Sequence, residues 1–212
     1  METQPVLLLC GCQKYKEYLT AAIRRMTHPF FRIVGIMGDA SGEAIWNEQE
    51  QIVTLPVSDK YEDLPSKIHA AVSWVYSQWP QTIGIWKTDD DIVYESMDHV
   101  VNAVVVNAKV PFWGLAVDMC REGIVNLWRI ANRFNDKSLR PNHQKAIYCF
   151  GHGYWLSAEA IPHIVAAESE YKNSYLEDVC TGYVLNQKKI IPQRAPIPYR
   201  ELPRGPELLN LK

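Results

Sequence analysis

The chain has 212 residues, 47% of them hydrophobic and 11% aromatic, which is enough for one globular domain with a substantial core. Its formal net charge of −2 provides no basic surface for nucleic acid. The sequence has no apolar run of about 18 residues and no signal-peptide pattern, so neither a transmembrane helix nor a cleaved leader is expected. Five cysteines at irregular spacing indicate free thiols in a reducing compartment, and we expect a soluble, cytoplasmic protein.

Apolar segments of strand length alternate with helical patterns, in which apolar residues recur every three or four positions. In chain order the predicted elements are a strand at residues 6–10, a helix at 15–26, strands at 31–37 and 52–57, a helix at 63–79, a strand at 82–86, a helix at 96–109, a strand at 112–117, a meander or loop at 118–145, a strand at 146–150, helices at 157–168 and 177–188, and an edge strand at 190–192. This alternation is typical of βαβ units and predicts an α/β fold with a mostly parallel central sheet.

Residues 192–212 differ from the rest of the chain in composition, with five prolines between positions 192 and 206. Proline lacks a backbone N–H group, so such a segment cannot form a helix or a central strand. We therefore predict a folded domain at residues 1–191, followed by a proline-rich tail. The tail either packs on the domain or leaves it as a linker to further C-terminal domains.

Three consecutive aspartates, Asp89, Asp90 and Asp91, follow the predicted strand at residues 82–86. Adjacent carboxylates repel one another unless a cation lies among them, and hard oxygen ligands of this kind suit magnesium, manganese or calcium. Ligands of open α/β sheets bind at the carboxyl ends of the strands, where this triplet is expected to lie. The triplet therefore indicates a site for a metal ion and a diphosphate, with a solvated acidic turn as the alternative.

Four short segments carry a more specific pattern: DKYEDLPSK at residues 59–67, KTDDD at 87–91, GHGYWLS at 151–157 and LEDVCTG at 176–182. In the same order, they resemble sequence blocks of the β-1,3-galactosyltransferase family, which includes N-acetylglucosaminyltransferases and Fringe-like members. The small chain is also similar to a domain of a virus-encoded glycosyltransferase. The resemblance implies a GT-A-type, Rossmann-like fold and transfer of a sugar from a UDP-sugar to a glycan hydroxyl, on protein or lipid, with inversion.

The resemblance also implies roles for three carboxylates. Asp91 is expected to hold a divalent metal directly, with Mn²⁺ preferred over Mg²⁺, and Asp89 to lie beside that ion or the ribose. Asp178 is expected to be the base, because an inverting transfer needs one carboxylate to take the acceptor proton. The alternative is that Glu177 and Asp178 are ordinary acids that stabilise a helix N-terminus.

Further contacts are expected around these carboxylates. Nucleotide contacts are predicted for Cys10, Gly11, Asp39, Lys67, Asp89 and Asp90, and contacts to donor or acceptor for Gly151, His152, Gly153, Tyr154, Trp155 and Glu177. Several have a plainer alternative: Asp39 in a Gly-Asp turn, His152 as a hydrogen-bonded structural residue, and the two aromatic residues in the core. Lys67 and Lys87 either neutralise phosphate or pair with the acidic residues.

The chain departs from the family in one respect that bears on the metal. Many family members supply a histidine ligand after the fourth block, and here no histidine follows His163. Arg194, Arg200 and Arg204 in the tail could bind the diphosphate instead. Two other functions remain open, namely a nucleotidyl- or phosphoryl-transfer enzyme with two metal ions and a nucleotide-sugar-binding module without turnover.

Overall fold

The computed structural model describes residues 3–121 and 145–211. The strands are β1 (Val6–Cys10), β2 (Arg32–Gly38), β3 (Ile45–Asn47), β4 (Ile52–Leu55), β5 (Gly84–Asp89), β6 (Ile92–Tyr94), β7 (Phe112–Gly114), β8 (Val117–Arg121), β9 (Lys145–Cys149), β10 (Gly153–Ser157), β11 (Gln193–Arg194) and β12 (Tyr199–Glu201). The helices are α1 (Lys16–Met26), α2 (Leu64–Gln78), α3 (Met97–Asn107), α4 (Ile161–Val165), α5 (Glu168–Lys172), α6 (Glu177–Gln187) and α7 (Pro206–Asn210). None of these helices has the length and apolar character that crossing a bilayer requires.

Eight strands form one mixed sheet in the order β11-β7-β10-β5-β1-β2-β4-β3. Its centre is parallel, because β1 runs beside both β2 and β5, and β2 runs beside β4. β10 is inserted antiparallel between β5 and β7. The predicted fold class, an α/β domain with a mixed, mostly parallel central sheet flanked by helices, is confirmed.

The continuous apolar run of β1 explains its place at the centre of the sheet. Residues 6–9 have no exposed surface, since both faces of the sheet are covered. Val6 and Leu8 face the core formed with α2, α4, α5 and α6, whereas Leu7 and Leu9 face the core formed with α1 and α3. Successive side chains of a strand point to opposite faces, so one short segment joins both cores.

The structure differs from the predicted elements in several places, and the short strands β3, β6 and β12 were also not predicted. β10 was not predicted as a strand, because its residues fall within the GHGYWLS segment and pair only with distant strands. The helix predicted at 157–168 is wrong in extent, since residue 157 ends β10 and α4 starts at Ile161. The edge strand predicted at 190–192 is also wrong: Lys189 adopts a left-handed φ of 62°, and pairing begins only at Gln193. Most of the predicted loop at 118–145 lies outside the described residues.

The proline-rich tail lies against the domain. β12 pairs antiparallel with β6, and the Leu202 amide donates to the Asp91 carbonyl at 3.0 Å. The Ala195 amide likewise donates to the Gly114 carbonyl at 2.9 Å. The expectation that the tail forms no helix is wrong at its end, because Pro206 lies in the first turn of α7, where no backbone N–H is needed. Leu208 of α7 is completely buried. These contacts place residues 199–205 beside the aspartate triplet.

Gly182 of the LEDVCTG segment allows α6 to pack closely on β9. A Cβ atom at this position would lie 2.5 Å from Tyr148 Cβ and 2.6 Å from the Ile147 carbonyl oxygen. Because backbone cannot yield as a flexible side chain does, we expect Gly182→Ala to lower the free energy of unfolding by about 1–3 kcal/mol. Urea denaturation measures this loss. Gly42→Ala, whose Cβ meets nothing within 4 Å, is the matched control, and an equal effect of both would contradict the packing role.

Candidate active site

A cleft of about 1030 Å³ opens at the carboxyl ends of β1, β2 and β5. This edge is formed because β1 and β5 are parallel and in register, with Cys10 opposite Asp89. The cleft is lined by seven of the residues predicted to bind nucleotide, metal or sugar: Cys10, Gly11, Asp39, Lys67, Asp89, Asp91 and His152. Residues far apart in the sequence thus meet where open α/β sheets bind ligands.

The three aspartates lie in different environments: Asp89 ends β5, whereas Asp90 and Asp91 form the tight connection to β6. Asp89 and Asp91 line the cleft, and the Asp91 side chain is 21% exposed. Asp90 points elsewhere: it is completely buried, and its Oδ1 accepts from Arg204 Nη2 at 2.6 Å. Asp90, predicted to contact nucleotide, therefore does not line the cleft and instead fixes the tail.

Burial shapes the electrostatics of this connection. It raises the pKa of Asp90 to about 6, against the lowering effect of Arg204. Burial and the charge of Asp89 also raise the pKa of Asp91. The raised pKa of Asp91, which lines the cleft, means that its ionised form would be favoured by an additional positive partner there. Within residues 3–121 and 145–211, however, no three His, Cys, Asp or Glu side chains converge to hold a metal by themselves.

Lys87 connects the triplet to the other sequence blocks. Its buried ammonium donates to Asp89 Oδ1 and the Gly151 carbonyl, both at 2.8 Å, and lies 3.4 Å from Glu177 Oε2. Burial alone lowers the pKa of Lys87, but Asp89 and Glu177 outweigh it and raise that pKa above its ordinary value. Lys87 thus pairs with the acids, which is one of the two alternatives that the sequence left open for it.

Glu177 is held inside this network rather than in the cleft. Its Oε1 accepts a hydrogen bond from the Tyr154 hydroxyl, and its side chain is 3% exposed. Burial raises the pKa of Glu177 to about 7, partly offset by Lys87. The structure therefore places Glu177, predicted to contact donor or acceptor, as a link between α6, β5 and β10.

Asp178 occupies the first turn of α6, one residue after this network. It is half-buried, and its Oδ1 accepts from the Val179 amide at 2.8 Å. Burial raises the pKa of Asp178, while the Val179 amide and Lys87 act in the opposite direction. Asp178 does not line the cleft described above. Asp178 interacts electrostatically with Lys87 and Asp89, and its two interpretations, a base and a helix N-terminal acid, stay predictions.

The GHGYWLS segment divides between cleft and core. His152 lines the cleft, with Nδ1 3.1 Å from the Tyr199 hydroxyl. Tyr154 and Trp155 are completely buried in β10, packed against Phe112 and Trp113, because helices cover both faces of the sheet there. The structure thus places both aromatic side chains in the core rather than at the cleft.

The two glycines of this segment allow close packing. A Cβ at Gly151 would lie 3.3 Å from Lys87 Nζ and 3.4 Å from Glu177 Oε2. A Cβ at Gly153 would lie 2.8 Å from both Leu115 Cδ1 and the Tyr94 hydroxyl. Neither glycine lines the cleft, although both were predicted to contact donor or acceptor. The segment instead brings its backbone against Lys87 and the core.

Asp59 organises the opposite wall, a role that was not predicted from the sequence. It accepts from Lys67 Nζ at 2.8 Å, from the Gly38 amide at 2.9 Å and from the Gln13 amide at 2.5 Å. Lys67 also donates to the Gly11 carbonyl at 2.8 Å. The first block begins with Asp59 and ends with Lys67, so this pair of opposite charges was the available signal.

Asp39 lies at the rim of the cleft in the turn after β2. It is exposed, and its Oδ1 accepts from both the amide and the hydroxyl of Ser41. These two hydrogen bonds lower the pKa of Asp39. The arrangement is that of a polar turn whose carboxylate also lines the cleft.

The tail supplies two cleft residues, Glu201 and Arg204. Glu201 was not predicted as a site residue, and the sequence left all three tail arginines as candidates. No local signal distinguishes these positions, because their contact with the cleft depends on β12 pairing with β6.

The sequence model of the galactosyltransferase family matches residues 11–196 of the chain. This stretch covers most of the chain and contains all four sequence blocks. The chain belongs to the galactosyltransferase family. It is a glycosyltransferase, and the resemblance drawn from the four blocks is confirmed.

No curated protein matches this galactosyltransferase-family chain in sequence. Among solved structures, it is similar to mouse xyloside xylosyltransferase 1, with 8% identity, a TM-score of 0.41 and coverage of 92% of this chain and 85% of that one. It is also similar to mannose-1-phosphate geranyltransferase of Thermus thermophilus, with 10% identity, a TM-score of 0.43 and coverage of 94% and 76%. A third is the galactosyltransferase LgtC in complex with donor and acceptor sugar analogues, with 13% identity, a TM-score of 0.39 and coverage of 85% and 69%. At such low similarity, function is inferred from the family and the site residues alone.

Proposed function

We propose that this enzyme transfers a sugar from a UDP-sugar to a glycan hydroxyl, with inversion at the anomeric carbon. The observation that carries the proposal is the cleft at the carboxyl ends of β1, β2 and β5, where Asp89 and Asp91 face the same space. A nucleotide diphosphate suits such a strand-end crevice. The choice of uridine comes from the resemblance to the β-1,3-galactosyltransferase blocks.

In the proposed reaction the acceptor hydroxyl oxygen attacks the anomeric carbon of the donor. The bond between that carbon and the β-phosphate oxygen breaks, and its electron pair leaves with UDP. The hydroxyl proton passes to the Asp178 carboxylate, which acts as general base. A raised pKa suits this task, because it makes the carboxylate a better proton acceptor.

The residues present fit a divalent metal shared with the donor. Asp91 and Asp89 offer hard carboxylate oxygens at the cleft, a donor set that suits Mn²⁺ or Mg²⁺, and Mn²⁺ is the preferred ion in this proposal. These two carboxylates would hold the ion together with the donor diphosphate. A bound ion would offset the negative charge that develops on the departing diphosphate.

Nucleotide-dependent stabilisation tests this proposal. The change in melting temperature is measured with UDP, GDP and CMP, each with Mn²⁺ and with EDTA. We expect UDP to stabilise the protein most and Mn²⁺ to strengthen its effect, with a gain of about 2.7 kcal/mol at a ligand concentration of 100 times Kd. An equal response to GDP would contradict the uridine assignment, and no response to any nucleotide would contradict the donor site.

A further inference from the structure

We propose that Arg204 binds the diphosphate of the donor with a fixed positive charge, so that part of donor binding needs no divalent ion. This inference rests on the proposed function, because it assumes a nucleotide-diphosphate donor in the cleft. Through Arg204, the tail would contact the donor directly.

Arg204 is delivered to the cleft by anchors on both sides. Before it, β12 pairs with β6, and the Leu202 amide donates to the Asp91 carbonyl. After it, α7 begins at Pro206 and buries Leu208 completely. Only a short segment separates these anchors, so the position of Arg204 beside the triplet is set by the fold rather than by the side chain alone.

The contacts of Arg204 leave it able to bind a second anion. Both of its carboxylate contacts use Nη2, at 2.6 Å to Asp90 Oδ1 and 3.8 Å to Asp91 Oδ2. The guanidinium also lies 4.8 Å from the centre of the Tyr15 ring, and its side chain remains 33% exposed while lining the cleft. A guanidinium has five N–H donors in a planar fork that matches phosphate oxygens. Asp90 therefore orients the Arg204 guanidinium and leaves other N–H donors of that group available for phosphate oxygens.

The other two tail arginines lie elsewhere. Arg200 precedes Glu201 in β12 and lines a separate cavity of about 520 Å³ with Arg25 and Tyr94. Arg194 is exposed in β11, at the far edge of the sheet. Of the three candidates from the sequence, only Arg204 lines the donor cleft among the described residues.

The place of Arg204 also bears on the metal. Its Nη2 is 3.8 Å from the carboxylate that is proposed to hold the ion. A positive charge at that distance weakens the attraction of Asp91 for a second cation and at the same time attracts the diphosphate. The balance between guanidinium and metal therefore decides how strongly donor binding depends on Mn²⁺.

Calorimetric titration of UDP tests this inference, in EDTA and in Mn²⁺, on the wild-type chain and on Arg204→Gln. In EDTA we expect Arg204→Gln to weaken UDP binding about tenfold or more, since a charge-assisted hydrogen bond pair is lost. Titration with uridine, which has no phosphate, should be unchanged. Arg204→Gln should also raise the ratio of the UDP affinity in Mn²⁺ to the UDP affinity in EDTA. Arg200→Gln is the matched control and should bind UDP like the wild type.

A second variant separates binding from folding, because Arg204→Gln leaves the buried Asp90 without its charged partner. Arg204→Gln combined with Asp90→Asn removes both charges and should show the same loss of UDP affinity with a melting temperature close to wild type. Wild-type UDP affinity in the double variant, or an equal loss with uridine, would overturn the inference. A wild-type chain that binds UDP in neither condition would instead overturn the proposed function.

Discussion

Asp178→Asn is expected to lower the turnover number about 10²- to 10⁴-fold and to leave UDP affinity within about twofold of wild type. Asparagine has nearly the same shape, and its side-chain oxygen can still accept from the Val179 amide, as Asp178 Oδ1 does at 2.8 Å. What it lacks is the ability to take the acceptor proton. Steady-state transfer assays and UDP titration on the same preparation measure the two quantities.

The alternative for Asp178 is a purely structural acid in the first turn of α6. Asp98, in the first turn of α3, is the matched control because it is exposed and its amide is capped by Ser96. A structural acid contributes about 0.3–1 kcal/mol to stability through the helix dipole. If Asp178→Asn behaves like Asp98→Asn, with a small loss of stability and normal turnover, the base assignment is wrong.

The pH dependence of turnover provides a second readout of the same residue. The base acts only when ionised, so activity falls as pH drops through its pKa. Because burial raises the pKa of Asp178, the acid limb should lie above the ordinary aspartate value of about 3.9. An acid limb at or below that value would contradict Asp178 as the group that controls turnover.

Lys87→Met is expected to lower the free energy of unfolding by about 3–5 kcal/mol, because it removes the cation of a buried ionic network. Glu177, 3% exposed, and Asp89 would then face each other without a compensating charge. Urea denaturation measures the loss. The control is Lys16→Met, whose ion pair with Glu50 at 2.8 Å is exposed and should contribute less than about 1 kcal/mol.

The sign of the pH effect identifies Glu177 as the source of this loss. Burial raises the pKa of Glu177 from 4.5 to about 7, so its ionised form is disfavoured in the folded state. The penalty is absent below about pH 4.5, grows between about pH 4.5 and 7, and is fully present above that range. Without Lys87 the penalty increases, and Lys87→Met should lose more stability at pH 8 than at pH 5. Adding Glu177→Gln to Lys87→Met should restore much of the stability that the single variant loses at pH 8. A double variant that is no more stable than Lys87→Met at pH 8 would contradict the ionic explanation.

The elements that depend on local sequence could be predicted. The apolar run of β1 is fully buried, Pro65 lies in the first turn of α2, and Ser96 caps α3 by accepting from the Asp98 amide at 3.1 Å. These features follow from hydrophobic pattern and capping chemistry within a few residues. The order of the strands in the sheet does not, since β10 lies between two strands that precede it in the chain.

The candidate site was predictable in part for the same reason. Asp89 and Asp91 follow directly from a strand end, and the cleft indeed forms there. Asp90 has the same residue type and the same neighbours in sequence, yet its partner is Arg204, more than a hundred positions away. Tyr154 and Trp155 belong to a sequence block of the family but serve the core. Sequence patterns identify which residues matter, whereas the partners of those residues come from the tertiary fold.

The cleft joins opposite ends of the described chain, with Tyr15 following β1 and Arg204 following β12. A nucleotide bound between these two walls would act as a reversible cross-link that closes a very long loop. Closure of a long loop restricts many chain conformations at once. The ligand would therefore resist separation of the tail from the sheet as well as occupy a pocket, and donor binding and tail docking become one cooperative event.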